Sequence, residues 1–306
     1  MNQHVGIVGA TGAIGATVAA ALAAEGASFE TIARTSGSRT WNPEEPATVR
    51  AAFQGLDTLV YCVGVDYTKF GLHPKVMRAT IEGAVAAGVK RILLIGTVYA
   101  YGRPQSLPIR EDHPRAPHTY KGRMRKEQED LVLQAHADGR IEGAVLRLPD
   151  FYGPGTDKSL LSGAFTAAAN GGTAQVIGPI DRPHQYVFIP DVGPLVARVI
   201  REPRIWGKGW HFAGSGTIVT RALLEKIFAA AGRPMKLQVA NKLMLQAVGL
   251  FNPMMRELAE MHYLVTDPVV MDDSALRALL GDVHATPYDE GVRLTLEALT
   301  MKPASA

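Results

Sequence analysis

Cysteine is nearly absent: Cys62 is the only one in 306 residues. That excludes an intrachain disulfide and any metal site built on several thiolates, and it suits a reducing compartment. Within the apolar run LVYCVGV, Cys62 reads as a packing residue. Long apolar runs are also missing. No stretch approaches the ~20 consecutive apolar residues of a membrane span, and the N-terminus shows no basic lead and cleavage site. A cytoplasmic protein with no membrane partner is the expectation. A charge excess is missing too: the formal net charge is +3, and the lysines and arginines form no block, so a nucleic-acid partner is not expected. The nine histidines show neither HxH nor HExxH spacing and no acidic cluster resembles a cation loop, so no metal is expected.

What is present is a large apolar fraction, 47% against 20% charged, enough to bury a sizeable core. Short β-like runs recur at HVGIV (4–8), FETIA (29–33), TLVYCV (58–63), RILLIG (91–96) and GAVLRL (143–148). Between most of them lie helical segments, and two of these end at Gly26 and Gly88 as helix stops do. Strands alternating with helices predict an α/β protein with a parallel sheet wound on both faces, whose ligand sits beyond the carboxyl ends of the strands. After about residue 155 the pattern loosens. NGGTAQVIGPIDRPHQ reads as loop and turn before a strand at YVFIP and a helix near Asp191, and from 217 onward the chain reads as mostly helical. No repeat or flexible linker separates the halves.

Directly after the first strand comes GATGAIG, with Gly9, Gly12 and Gly15 framing Thr11, Ala13 and Ile14 before an alanine-rich helix. A strand, a glycine turn and a helix N-terminus make a phosphate site, because backbone N–H groups point outward and absent side chains let a pyrophosphate approach. The spacing is GxxGxxG, and its position on the first strand and helix points to a dinucleotide. At the end of the second strand, where an acid would accept the ribose hydroxyls of NAD, Ala33 stands instead. Arg34 follows it, with Ser36 and Arg39 nearby, a set suited to a 2′-phosphate. NADP is favoured, and NAD remains open.

These motifs, together with GLDTLVYCVG, AGVKRILLIGTVYAYG, LRLPDFYGPG, YVFIPDVGPLVARVI and ATPYDEGVRLTLEAL, resemble the extended short-chain dehydrogenase/reductase superfamily, the NAD-dependent epimerase/dehydratase group. The resemblance implies a Rossmann-type doubly wound domain over 1–155, with 186–202 returning to it. A smaller, mainly C-terminal substrate domain would comprise 156–185 and 203–306. It further implies cofactor contacts at Val63, Gly64, Pro149 and Phe151, a homodimer, and a substrate-polarising hydroxyl at Thr97, counted back from Gly102.

The family's YxxxK pair opens a helix. Laid on KGRMRKEQE, its glycine and glutamate match Gly122 and Glu129, which puts Lys121 at the tyrosine position and Arg125 at the lysine position. Arg125 can keep the ribose and electrostatic duties. The acid is then Lys121, if burial and Arg125 depress its pKa, or Tyr120 or Tyr99 reaching in from beside it, or no residue at all. Where sugar-nucleotide members carry asparagine, this chain has Asp150, a carboxylate that would repel a diphosphate. Asp150, Tyr99 and His184 are candidate substrate contacts, and QAVGLFNPMMRELAEMHYLV reads as core or as an apolar wall for a small carbonyl compound. Two functions follow: an NADP-dependent oxidoreductase or epimerase of atypical extended short-chain type acting on a small carbonyl or hydroxyl substrate, or a non-catalytic NADP-binding sensor or binding module.

Overall fold

The computed structural model describes residues 3–157 and 159–301. Its first half alternates strands and helices: β1 (Val5–Val8), α1 (Ala13–Ala24), β2 (Phe29–Ala33), β3 (Arg39–Thr40), α2 (Pro46–Phe53), β4 (Thr58–Tyr61), α3 (Leu72–Ala87), β5 (Arg91–Thr97), α4 (Tyr120–Ala137) and β6 (Glu142–Leu148). The second half contains β7 (Asp150–Tyr152), α5 (Ser162–Asn170), β8 (Ala174–Ile177), β9 (Pro183–Phe188), α6 (Ile189–Val199), β10 (Gly209–His211), β11 (Thr217–Val219) and α7 (Thr220–Ala230). It closes with β12 (Leu237–Ala240), α8 (Lys242–Gly249), α9 (Pro253–Met261), α10 (Tyr263–Thr266), α11 (Ser274–Leu280) and α12 (Tyr288–Met301).

Seven strands form one parallel sheet in the order β10-β6-β5-β4-β1-β2-β3. VGIV in β1 and TLVY in β4 are buried at every position, as strands covered by helices on both faces must be. One face packs Val5, Ile7 and Leu93 against Val18 of α1 and Val192 and Val196 of α6. The other packs Val8, Leu59 and Leu94 against Phe53, Met77 and Val132. The chain leaves β1 toward β2 on one side and has β4 on the other, so the order reverses there and a crevice opens beyond their carboxyl ends.

Residues 186–202 pack on the large sheet through α6. A Cβ on Gly193 would collide with the Thr17 carbonyl, so glycine is what lets α6 approach α1 this closely. Two departures from the sequence reading stand out. The limit expected at 203 does not hold for β10, which pairs with β6 in the large sheet, nor for Leu276 and Val283, which join the same core. The short GWH segment carries no alternation that would have marked it. The stretch read as loop at 170–185 contains β8, held by its parallel pairing with β12, a partner some sixty residues away that local pattern does not reveal. The segment QAVGLFNPMMRELAEMHYLV also divides: Met261, Tyr263 and Leu264 are buried beside Val98 and Tyr101, whereas Leu250 and Phe251 are 78% and 92% exposed.

Candidate functional site

The glycine loop has the shape its spacing predicts. Gly9 has φ +88° and lies against the end of β4, where a Cβ would stand 2.9 Å from Val63 N. Gly15 is buried, and a Cβ there would collide with Gly9 O and stand 2.7 Å from Ala10 Cα. Gly12 differs: it is exposed, caps α1, and would bring a Cβ no closer than 3.5 Å to Gly9 O. No side chain caps α1 and no acid occupies its first turn. Its leading N–H groups, on Ala13, Ile14 and Gly15, therefore face the crevice beside exposed Thr11. Gly64 is exposed, with nothing within 4 Å of where a Cβ would be, and half-buried Val63 precedes it. Two glycines shaped by close backbone contact and a third left open make a cradle that fits a pyrophosphate.

At the end of β2, Arg34 and Ser36 are exposed beyond buried Ala33. Arg39 is not free to join them: its guanidinium donates to the carbonyls of Ala52 and Gln54 and pairs with Glu30. Of the two arginines near the end of β2, Arg34 is the exposed one.

Thr97 ends β5 in extended backbone (φ −146°, ψ 168°), half-buried, and its hydroxyl makes no capping bond to the turn that follows. Thr119 caps α4 by accepting from Gly122 N at 3.1 Å. Gly122 seats the helix on that turn, since a Cβ would stand 2.8 Å from Tyr99 O. This fixes the register. Lys121, Arg125, Gln128 and Glu129 face inward and are buried, while Tyr120 is 48% exposed with its hydroxyl against Gly71.

Arg125 donates through Nη1 to Gln128 Oε1 (2.6 Å) and His73 Nδ1 (3.2 Å) and through Nη2 to Ile95 O (3.2 Å). Its buried Nε has no hydrogen-bond partner among the described residues. Burial lowers its pKa from the usual value. Lys121 is completely buried. Its Nζ donates to Glu260 Oε2 at 2.6 Å and to Glu257, both from α9, and lies 5.6 Å from the centroid of the Tyr67 ring and 5.7 Å from that of Phe70. The expected neighbour of like charge is therefore accompanied by two carboxylates, which anchor the ammonium.

Beyond the ends of β5 and β6 the Tyr99 and Tyr67 hydroxyls are hydrogen-bonded to one another. Burial pushes Tyr67 up to about 12, and burial and Tyr67 hold Tyr99 well above the ordinary range, so both stay protonated. Asp150 opens β7 and accepts from His184 Nε2 at 2.7 Å. Pro149 is buried and Phe151 packs against the sheet core. Gln185, which follows His184 on β9, exchanges hydrogen bonds with the Met271 backbone. Tyr67, His73, Glu257 and Glu260 had no signal in the sequence, because each reaches the site only through pairings distant in the chain, whereas Gln128 lies one turn from Arg125 on α4.

Other polar groups are structural. Arg147 and Glu129 form a buried pair beneath Tyr101, and Asp191 holds the Thr286 N–H and hydroxyl. Burial pushes the Cys62 thiol up to about 12, which keeps it from acting as a nucleophile. A cavity of about 630 Å³ lined by Thr156, Phe165, Asn170 and Leu299 contains neither Thr97 nor any glycine-loop residue. Among the described residues no three His, Cys, Asp or Glu side chains converge on a metal position, and no helix is long and apolar enough to cross a membrane.

The chain is 29% identical over 256 residues to the dTDP-6-deoxy-L-talose 4-dehydrogenase (NAD(P)(+)) of Kitasatospora kifunensis, covering 73% of this chain and 79% of that protein. It is 26% identical over 160 residues to the 2′-dehydrokanamycin reductase of Streptomyces kanamyceticus, covering 51% and 46%. Among solved structures it superposes on DesIV, a dTDP-glucose 4,6-dehydratase from Streptomyces venezuelae with NAD and TYD bound, with a TM-score of 0.81 at 15% identity over 98% of each chain. RMD from Pseudomonas aeruginosa, complexed with NADPH, gives a TM-score of 0.77 at 18% identity over 97% of this chain and 98% of that one. The family model described as the NAD dependent epimerase/dehydratase family matches residues 5–212, and the chain belongs to that family.

Proposed function

We propose that the protein is an NAD(P)-dependent oxidoreductase that interconverts a secondary alcohol and a ketone on a sugar-like ring. The observation that carries the reading is the juxtaposition, at one edge of one sheet, of an open pyrophosphate cradle and the uncapped Thr97 hydroxyl. The dinucleotide, when bound, gives or takes the hydride. The protein's share is to hold it at the Gly9–Gly15 loop, with Val63, Gly64, Pro149 and Phe151 alongside and the Arg125 guanidinium supplying positive charge for the ribose. Thr97 orients the substrate oxygen, both donating and accepting. Arg34, with Ser36, favours NADP. Lys121 serves as the anchor for α9 over the cleft, and Tyr99 lines the substrate side.

The ring substrate is supported by the relatives named for a deoxysugar and an aminoglycoside. A bare Asp150 would argue against a diphosphate, but His184 pairs with it, so a dTDP-linked ring and an aminated ring both stay within the reading. The test follows the absorbance of reduced nicotinamide with purified protein. NADP⁺ is offered with dTDP-6-deoxy-L-talose, and NADPH with 2′-dehydrokanamycin and with a panel of simple aliphatic and aromatic ketones. Turnover of a ring substrate well above the simple ketones supports the proposal. Tight NADPH binding with no turnover of any compound overturns it in favour of a sensor or binding module.

A further inference from the structure

On the register that Gly122 and Glu129 give, lysine stands at position 121, where the resemblance puts the family's acid–base tyrosine, and the groups nearest that place are poorly suited to replace it. Lys121 is held between two carboxylates, Tyr120 lies outward against Gly71, and Tyr67 and Tyr99 form a closed pair kept protonated by burial. A different pair stands at the same edge. Thr97 of β5 is in register with Leu148 of β6; two residues further along the two chains come Tyr99 and Asp150. Asp150 follows Leu148 by two residues and so lies just beyond the carboxyl end of β6, at the edge where Thr97 closes β5. Behind it, on the neighbouring strand, His184 is fixed by the 2.7 Å bond from Nε2 to Asp150 Oδ2 and by the Tyr186 ring, whose centroid is 4.6 Å away. Side-chain exposure is 19% for Asp150 and 10% for His184. Each retains a narrow path to water.

We infer that Asp150 is the acid–base residue of this site and that His184, donating from Nε2 to one carboxyl oxygen, is the positioning residue that holds it. This rests on the oxidoreductase reading above. In the oxidising direction a bound dinucleotide would accept the hydride from the substrate carbon, and the proton on the substrate oxygen passes to Asp150 as the C=O bond forms. The His184 Nε2–H stays hydrogen-bonded to Asp150 Oδ2 throughout, so the proton taken from the alcohol sits on the other carboxyl oxygen and leaves from there to water; one hydride and one proton depart per alcohol oxidised. Reduction runs the same path backward. The pair therefore does for this chain what a lone tyrosine cannot do where position 121 is lysine.

The experiment uses the full chain and whichever ring substrate the wild type turns over. Asp150→Asn is expected to lower kcat by about 10²–10³ while NADPH affinity, read by fluorescence titration, stays within about twofold. His184→Ala is expected to lower kcat by about tenfold, with added imidazole restoring it. Should Asp150→Asn fold poorly by circular dichroism, Asp150→Ala serves instead, with formate expected to restore turnover. Wild-type kcat in either Asp150 variant, or a loss in His184→Ala that imidazole leaves unchanged, overturns the inference while the oxidoreductase reading stands. A wild type that binds NADPH and turns over nothing overturns both.

Discussion

Lys121 Nζ lies 2.6 Å from Glu260 Oε2, and Glu257 closes on the same ammonium from one turn earlier in α9. The helix that opens the family's catalytic motif is thereby tied to a helix from the far end of the chain. Replacing Lys121 by Met would keep the packing on Tyr67 and Phe70 but leave two carboxylates facing each other. The carboxylates are 22% and 25% exposed, so the loss falls at the lower end for a broken buried pair, about 3 kcal/mol. Chemical denaturation reads the loss, and limited proteolysis should show earlier cutting in 240–262. Unchanged stability and unchanged proteolysis would contradict the anchor.

The three loop glycines should part company on substitution. Gly15→Ala places a methyl into Gly9 O and Ala10 Cα, so α1 must shift, and both thermal stability and NADPH binding should fall. At Gly12→Ala the nearest atom is 3.5 Å away, so the fold should keep its melting temperature while binding weakens where the added methyl meets the dinucleotide. Thermal melts paired with titration check the contrast, and equal melting temperatures for the two variants would contradict it.

Arg34 is the exposed cation at the end of β2, whereas Arg39 is occupied by Glu30 and two carbonyls. Arg34→Ala should weaken NADPH by about tenfold, near 1.4 kcal/mol, and leave NADH unaltered. A wild type with equal affinity for both coenzymes would remove the basis for NADP preference.

Acid should unfold the protein through its buried histidines. Burial, reinforced by Arg125, lowers His73 to about 2, and burial, reinforced by Arg147, lowers His211 to about 3. An unfolded histidine takes up its proton near 6.5. Below that pH the unfolded state binds protons that the folded state refuses, so the stability present above about pH 6.5 is lost as pH falls toward those low values, by about 1.4 kcal/mol per unit for each histidine. Unfolding free energies measured between neutral and mildly acidic pH should show this slope, and His73→Leu should flatten it by one histidine's share.

Much of the sheet was legible because β1, β4, β5 and β6 are apolar runs bounded by helices, and burial on both faces requires that composition. The inward register of Lys121 and Arg125 was legible through Gly122, whose contact with Tyr99 O leaves no room for a side chain. What stayed hidden depends on distance along the chain. β8 has no alternation of its own and is defined by β12. Glu257 and Glu260 stand 136 and 139 residues from Lys121, and nothing local in RELAEM announces a cation partner. Asp150 and His184 each drew notice singly, but their pairing depends on β7 lying beside β9, a relation the sequence does not display.

The central claim is direct hydride exchange with a ring carbon at this cleft, and isotope transfer tests it most directly. NADPH carrying deuterium at nicotinamide C4 is incubated with purified protein and a ring ketone, and the product is weighed by mass spectrometry. The account predicts a product alcohol carrying one deuterium at the former carbonyl carbon, formed by the wild type and strongly diminished in Asp150→Asn. Full-strength binding of the labelled coenzyme with no labelled alcohol from any ring ketone would contradict it.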